Sequence, residues 1–488
     1  MSATAIVIGA GINGLVTAHY LARAGRSVRV LEANPERDAA WPDAGAIDPR
    51  VLRDLGLDTR VLSVAAMEPW ITVPLPDGGR LQLHHDIAQT AAAIRHIAPR
   101  DAERWPAFCQ RMHDLADVLL GLATAPPPDF MTRQPRALMR LARVAWDTRR
   151  RGRQTTLDLL RILPMSIAEL LDDWFENDTL KAVIGAAGVT HLHQGPRAGG
   201  TALVMLHQHM GCPAGVFRPP VSRLRRALAG AAPGRFDIRY DATAVRILLR
   251  DGRAAGVVLE DGEEIEAPIV ACSLDTRTTL LRLVGPDALG PDAIQAALAI
   301  RSRGVTALLS LRLADTPDFH TLFVGRDLDY LERAYDDAKY GRVSQQPWIE
   351  ARVDPMVDPM DGHAHVHVHA QYAPHTPAAA AWSDSMREAL GRRVVELLQD
   401  SVPDMPAVLD MSVRVPPDLG RAFGWPRGQP HHAEPALDQW LFMRPLPGYG
   451  YGTPVPNLYL CGPASHPGLY PLGAAGANAA ATILGRAD

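Results

Sequence analysis

The hydrophobic pattern changes period several times along this chain. Ala5-Ile-Val-Ile8 is a short unbroken apolar run that ends in glycines, and Val28-Arg-Val-Leu31 is a second apolar stretch, interrupted only by Arg29. Apolar residues between them fall at helical spacing, so residues 4–32 predict β-α-β. Ser166 to Ala187 predicts a helix, opened by Ser166 with Glu169 in capping position and carrying Ile167, Leu170, Leu171 and Trp174 on one face. From 237 to 275 the pattern shortens: Ile238-Arg-Tyr, Ala244 to Leu249, Gly256 to Glu260 and Ile265-Glu-Ala, with the turn dipeptides Asp251-Gly252 and Asp261-Gly262 between them. This predicts a β meander leading into Ile269-Val-Ala-Cys272. A last strand, Asn457 to Gly462, precedes a helix of small residues from about Ala474 to Leu484.

Pieces of one nucleotide fold therefore occur at the start, middle and end of the chain. The expected class is α/β: a Rossmann-type domain with a β meander, built from residues 1–60, 215–285 and 430–488, interleaved with an α+β substrate or lid domain of residues 61–214 and 286–429. The chain's 488 residues are enough for two such domains.

The first turn carries the chemistry. Gly9 allows the tight turn, Gly11 lets backbone approach a pyrophosphate, and Gly14 lets helix and strand pack closely. The helix N-terminus then turns its unpaired N–H groups toward the phosphates. Glu32, eighteen residues past Gly14, is placed to accept from ribose hydroxyls. An acid there repels a 2′-phosphate, which favours FAD or NAD over NADP.

Composition narrows the picture. A net charge of −4 gives no overall attraction to nucleic acid. Lys181 and Lys339 are the only lysines and neither sits in a P-loop, which argues against a P-loop NTPase. Cys109, Cys212, Cys272 and Cys461 are scattered with no C-x-x-C pair, which disfavours zinc ribbons, iron–sulfur clusters and thioredoxin-like chemistry and suits a reducing cytoplasm. The apolar N-terminus lacks a basic leader and already forms the first strand, and no apolar run is long enough to span a bilayer.

Several stretches together resemble the phytoene-desaturase-like flavoproteins of the wider amine-oxidase-like group. They are the β-α-β turn, Trp174-Phe-Glu-Asn-Asp178, Gly195-Pro-Arg with Gly200-Thr-Ala, Gln371-Tyr-Ala-Pro374, Leu437 to Gly448, Thr453-Pro, Leu458-Tyr-Leu-Cys-Gly462 and His466-Pro467. The resemblance spans nearly the whole chain. It implies an FAD-dependent oxidoreductase that dehydrogenates, desaturates or oxidises an apolar small molecule. It also implies that Gly9, Gly11, Gly14 and Glu32 bind cofactor, that backbone near Val245 meets the adenine, and that Gly462, Gly473 and the following helix approach the pyrophosphate and flavin. By the same resemblance His466 is the acid–base candidate and Arg444 the charge stabiliser beside the flavin.

Three places depart from that pattern. Ala33 to Trp41 replaces a Gly-Gly loop, Pro220-Val-Ser-Arg223 replaces a glycine-rich turn, and Gly468-Leu-Tyr-Pro-Leu-Gly473 carries Leu469 and Tyr470 where glycines are usual. Either the loops rearrange around FAD, with Tyr470 or Trp41 near the ring, or the chain is a non-redox relative that serves as a protein partner or scaffold. A plain NAD-dependent dehydrogenase is disfavoured, because no nicotinamide site follows the nucleotide turn. With no second dinucleotide turn, electrons would leave to oxygen, a quinone or a carrier protein.

Other candidates have everyday explanations. His363, His365, His367 and His369 alternate on one strand face, which suits a metal site or simply a polar face; no carboxylate or thiol completes a ligand set, and no metal is expected. His191, His193, His207 and His209 line either a substrate cavity or a crowded core. Residues 133–153 hold eight arginines against the single acid Asp147, together with Leu138, Leu141 and Val144. That composition suits peripheral contact with an anionic membrane or a solvated lid helix.

Overall fold

The structure is a computed structural model and describes residues 3–34, 43–57, 68–127, 152–217, 220–221, 224–232, 234–354 and 362–485, with scattered positions between 138 and 150. Strand β1 (Ala5–Ile8) is buried throughout, as an apolar run without alternation requires. It pairs in parallel with β2 (Val28–Leu31) and with β4 (Val270–Cys272). Adding β3 (Asp237–Arg239) and β5 (Leu458–Leu460) gives a five-stranded sheet in the order β5-β4-β1-β2-β3. Ile238 departs from the expected meander and pairs with Val30 at the sheet edge. The meander itself is Ala244–Arg250, Arg253–Leu259 and Glu264–Glu266.

Helix α1 (Ile12–Arg23) leaves the sheet directly after Gly11. The close packing here has one centre, Ser273 at the end of β4. A Cβ at Gly9 would collide with the Ser273 hydroxyl, and one at Gly462 with the Ser273 carbonyl. A Cβ at Gly14 would collide with the Gly9 carbonyl oxygen. The Ser273 hydroxyl donates to the Ile8 carbonyl at 2.9 Å, which ties β4 to the end of β1. The C-terminal helix α4 (Ala474–Ile483) lies across α1 and touches it at Gly476, where a Cβ would strike the Asn13 carbonyl oxygen. Thr17 Oγ1 donates to the Gly476 carbonyl at 3.1 Å and the Gly476 amide to Asn13 Oδ1 at 3.2 Å.

A second, mixed sheet has seven strands in the order Val408–Arg414, Thr306–Leu313, Ala364–Gln371, Trp348–Val353, Thr321–Val324, Ile71–Pro74 and Arg80–Leu83. Its helical companions include α2 (Pro99–Ala123) and α3 (Thr201–His209), around a core containing Trp105, Phe108, Phe175 and Phe217. The single helix expected over 166–187 is two, Ile167–Trp174 and Asp178–Val189. The break arises because Phe175 turns extended to bury its ring against Trp105 and Phe108. The buried Asp101 carboxylate accepts from the amides of Glu176 and Asn177, and Asn177 recaps the second helix. That network supplies the partners a continuous helix would have provided.

The two parts of the molecule meet at the C-terminal end of α2. Its last carbonyls lack intrahelical partners and are met by side chains of the nucleotide fold. His466 Nε2 bonds the Leu122 carbonyl at 3.0 Å, Asn478 Nδ2 the Ala123 carbonyl at 2.9 Å, and the Arg50 guanidinium the Thr124 carbonyl. The positive Arg50 also suits the negative end of the helix dipole.

Trp41, Ser222 and Arg223 lie outside the described residues, as does most of 133–153; Leu138, Met139 and Trp146 within that stretch are exposed. Among the described residues no helix is long and apolar enough to cross a membrane.

We expect Gly14→Ala and Gly476→Ala each to lower the unfolding free energy by about 1–3 kcal/mol, because backbone rather than a flexible side chain must yield. The urea midpoint measures this. Gly11→Ala is the control: its surroundings are open and its φ of −70° is ordinary, so its midpoint should stay with the parent.

Candidate functional site

At the nucleotide end the backbone is shaped for phosphate. Gly9 has φ +94°, which favours glycine, and Gly11 has nothing within 4 Å of where a Cβ would stand. Helix α1 begins there with no side-chain cap, so its first amides face that open space. Glu32 is buried, with Oε2 accepting from the Ala10 amide at 2.7 Å and Oε1 from the Asn34 amide at 3.1 Å. These bonds hold the carboxylate at the end of β2, beside the turn that opens α1. The Ala242 amide donates to the Glu32 carbonyl at 3.0 Å, which brings the meander to the acid. The meander register slips between Ala244 and Arg246, so Val245 stands outside regular pairing.

The altered turn at the other end, residues 468–473, pairs with residues 45–48. The Tyr470 ring packs on Gly45, where a Cβ would collide with it. The Leu472 amide donates to the Ala46 carbonyl at 2.8 Å and the Asp48 amide to the Leu472 carbonyl at 2.9 Å. A bulky residue in the turn is thus accommodated by a glycine in the partner segment. Gly473 (φ +87°) starts α4 above Val51 and Val16. Gly462 lies against Ser273, in the same cluster as Gly9 and Gly14.

Arg444 is fully buried, and its guanidinium is enclosed by main chain. It donates to the carbonyls of Gln439, Pro463 (3.1 Å), Ala433 (3.1 Å) and Glu434 (2.8 Å). Burial pulls its pKa down to about 10, so it stays charged at neutral pH. No carboxylate pairs with it among the described residues, and the Glu434 carboxylate is engaged by Arg303 instead. His466 is also buried. Because a carbonyl only accepts, its Nε2 carries the proton given to Leu122, and Nδ1 is bare and unpartnered. Burial, with Arg444 a lesser cause, lowers the His466 pKa to about 4.

Imidazoles crowd the space between α3, residues 429–434 and the 466–473 turn. His207, on α3, and His431 have ring centroids 6.2 Å apart, and the Tyr470 ring lies 5.7 and 5.6 Å from them. His191 bridges His431 (6.1 Å) and His369 (4.8 Å). His369 stacks on Trp348 at 4.9 Å. His365 and His367 share its strand face but are only partly buried, and among the described residues no group of three or more His, Cys, Asp or Glu is arranged to hold a metal ion. His193 and His209 stand apart from this group, beside Tyr335 and Phe217.

Residues 4–296, more than half of the chain, match the family model described as FAD dependent oxidoreductase (DAO). The chain belongs to the FAD-dependent oxidoreductase family. Its relatives include the rat pyridine nucleotide-disulfide oxidoreductase domain-containing protein 2, 28% identical over 98% of this chain and 93% of that protein. Another is one of the limonene dehydrogenase chains of Castellaniella defragrans, 24% identical over 98% and 94%. The hydroxyneurosporene desaturase of Cereibacter sphaeroides is 26% identical over 98% and 97%. Among solved structures, an oxidoreductase from Methanosarcina mazei shares the fold with TM-score 0.59 at 15% identity, covering 99% of both chains. Putrescine oxidase shares it with TM-score 0.57 at 15% identity, covering 100% of both.

FAD is the cofactor, and the open Gly11 cradle, uncapped α1 N-terminus and Glu32 fit its adenosine and pyrophosphate. The four cysteines are free and buried, with burial raising Cys272 to about 11 and Cys461 to about 12, so thiolate chemistry plays no part near neutral pH.

Sequence reasoning misses Ser273 and His431. Ser273 follows a strand like any other serine, and His431 sits in Pro430-His-His with no informative spacing. His207 is a candidate by sequence, but its neighbours in space are not legible there.

Gly11→Ala, stable by the argument above, should weaken FAD binding about tenfold, because the added methyl enters the space that phosphate needs; fluorescence titration with FAD measures this. A second expectation concerns pH. Burial lowers His207 to about 3 and His209 and His466 to about 4. Below the ordinary histidine pKa the unfolded chain binds protons that these folded sites refuse. Stability therefore falls as pH drops from about 6.5 toward 4, by up to about 1.4 kcal/mol per pH unit for each such group. Urea unfolding at pH 7, 6 and 5 gives the slope, and a flat profile would contradict these environments.

Proposed function

We propose that this enzyme dehydrogenates or desaturates an apolar small molecule at a site between the 466–473 turn and the helical layer. The observation that carries the reading is the meeting of the nucleotide fold with an apolar helical core at His466, Asn478 and Arg50. Ligand sites favour such junctions between structural layers. The relatives named limonene dehydrogenase and hydroxyneurosporene desaturase support an apolar substrate.

FAD, when bound, supplies the two-electron acceptor. The chain's own residues bind and orient. Gly11 and the α1 amides take the pyrophosphate, Glu32 the ribose, and backbone at Val245 the adenine side. Gly462 and Gly473 let the turn and α4 come close to the cofactor. Arg444 contributes a fixed positive charge that costs no reorganisation, since four carbonyls already hold it in place. His466 acts as a positioning residue: its Nε2–H fixes the end of α2 against the turn, and its Nδ1 stays unprotonated as an acceptor.

The purified protein should be yellow and release FAD on denaturation in about a one-to-one ratio with chain. Anaerobic addition of a terpene or polyene hydrocarbon series should bleach the flavin with at least one member, whereas NADH alone should not. Colourless protein that takes up no added FAD would sink this reading.

A further inference from the structure

Two of the crowded imidazoles are anomalous. His207 is 2% exposed and His431 0%, yet neither nitrogen of either ring has a hydrogen-bond partner. The carbonyls of Pro467 and Tyr470 lie close enough to His207 to favour its charged form, but neither is aligned to bond a ring nitrogen. Buried polar atoms are nearly always partnered, and each exception calls for an explanation. Here there are four such nitrogens, on two rings whose centroids are 6.2 Å apart and whose planes are tilted by 41°, with the Tyr470 ring beside both. Gly468 completes the wall: a Cβ there would stand 3.2 Å from His207 Nε2 and 3.3 Å from an Arg444 terminal nitrogen.

The chemistry of those four atoms selects the ligand. A neutral imidazole has one N–H donor and one bare acceptor, so the pair offers two of each. Both rings are neutral: burial lowers the pKa of each, and the Arg444 charge adds to the effect. A metal ion would use only the acceptors and would sit beside an uncompensated guanidinium. A carboxylate would use only the donors and leave two bare nitrogens unmatched. A hydroxyl both donates and accepts, so it alone of the three matches an acceptor on one ring and a donor on the other.

We propose that His207 and His431 form a hydroxyl-binding subsite, so that the substrate is an otherwise apolar molecule carrying an alcohol group. This rests on the apolar-substrate reading above and narrows it. In this subsite one ring accepts the hydroxyl proton and the other donates to the oxygen, while Tyr470 and Gly468 shape the wall around it.

The test is calorimetric titration of the FAD-loaded protein with 1-octanol, octyl methyl ether and octanoic acid. The alcohol should bind at least about tenfold more tightly than the ether, which cannot donate to the bare nitrogen. His431→Phe should erase that preference while FAD content stays unchanged. Equal binding of alcohol and ether, as when the rings hold only an internal water, overturns the proposal; so does tighter binding of the acid. The ligand series on the parent protein decides even if the variant fails to fold. Calorimetry also reads the flavin-free protein, so an alcohol preference without flavin uptake would support the subsite and sink the redox reading. Flavin bleaching by a hydrocarbon with no alcohol preference would do the reverse.

Discussion

The nucleotide half depends on how closely main chain approaches main chain at the end of β1. Gly9, Gly14 and Gly462 each bring backbone to a distance that any side chain would block, and all three close around Ser273 and its neighbours. The result is one rigid corner where β1, β4, the last turn and α1 share atoms. Gly11 lies on the same turn yet faces open space. Three glycines are needed for packing, and their packing fixes where Gly11 points.

The second half is anchored to that corner through the end of a helix. A 25-residue helix leaves terminal carbonyls that must be met, and His466, Asn478 and Arg50 meet them from the nucleotide side. The join therefore satisfies a backbone need of the helix and holds the 466–473 turn in place. The same turn pairs with residues 46–48, where Tyr470 takes the room left by Gly45. The altered late turn thus has its partner in residues 45–48.

The interior around Arg444 is polar, and its buried carboxylate Glu434 is paired with Arg303. Arg444 is the fixed cation, solvated by carbonyls rather than by an acid. Its charge and the depth of burial keep His207, His431 and His466 neutral. Such a site presents oriented donors and acceptors without strong net attraction for ions. It suits recognition of a neutral group on a molecule that is otherwise apolar.

Local spacing settled what depends on neighbours in the chain: the β-α-β turn with Gly9, Gly11, Gly14 and Glu32, the meander hairpins, and the small-residue helix after the last strand. These follow from periodicity and from glycine's freedom, both properties of a few consecutive residues. The tertiary structure decided whatever needs a partner from elsewhere. Asp101 and the buried Phe175 ring split a helix whose own sequence is continuous in pattern. Ile238 became a sheet edge because β2 offered it one. Ser273, His431 and the carbonyl cage of Arg444 have no signature in their own segments, since each acquires its meaning from atoms brought in by the fold. Long-range burial strips water from such groups and makes their partners decisive, and no local pattern records which partners those are.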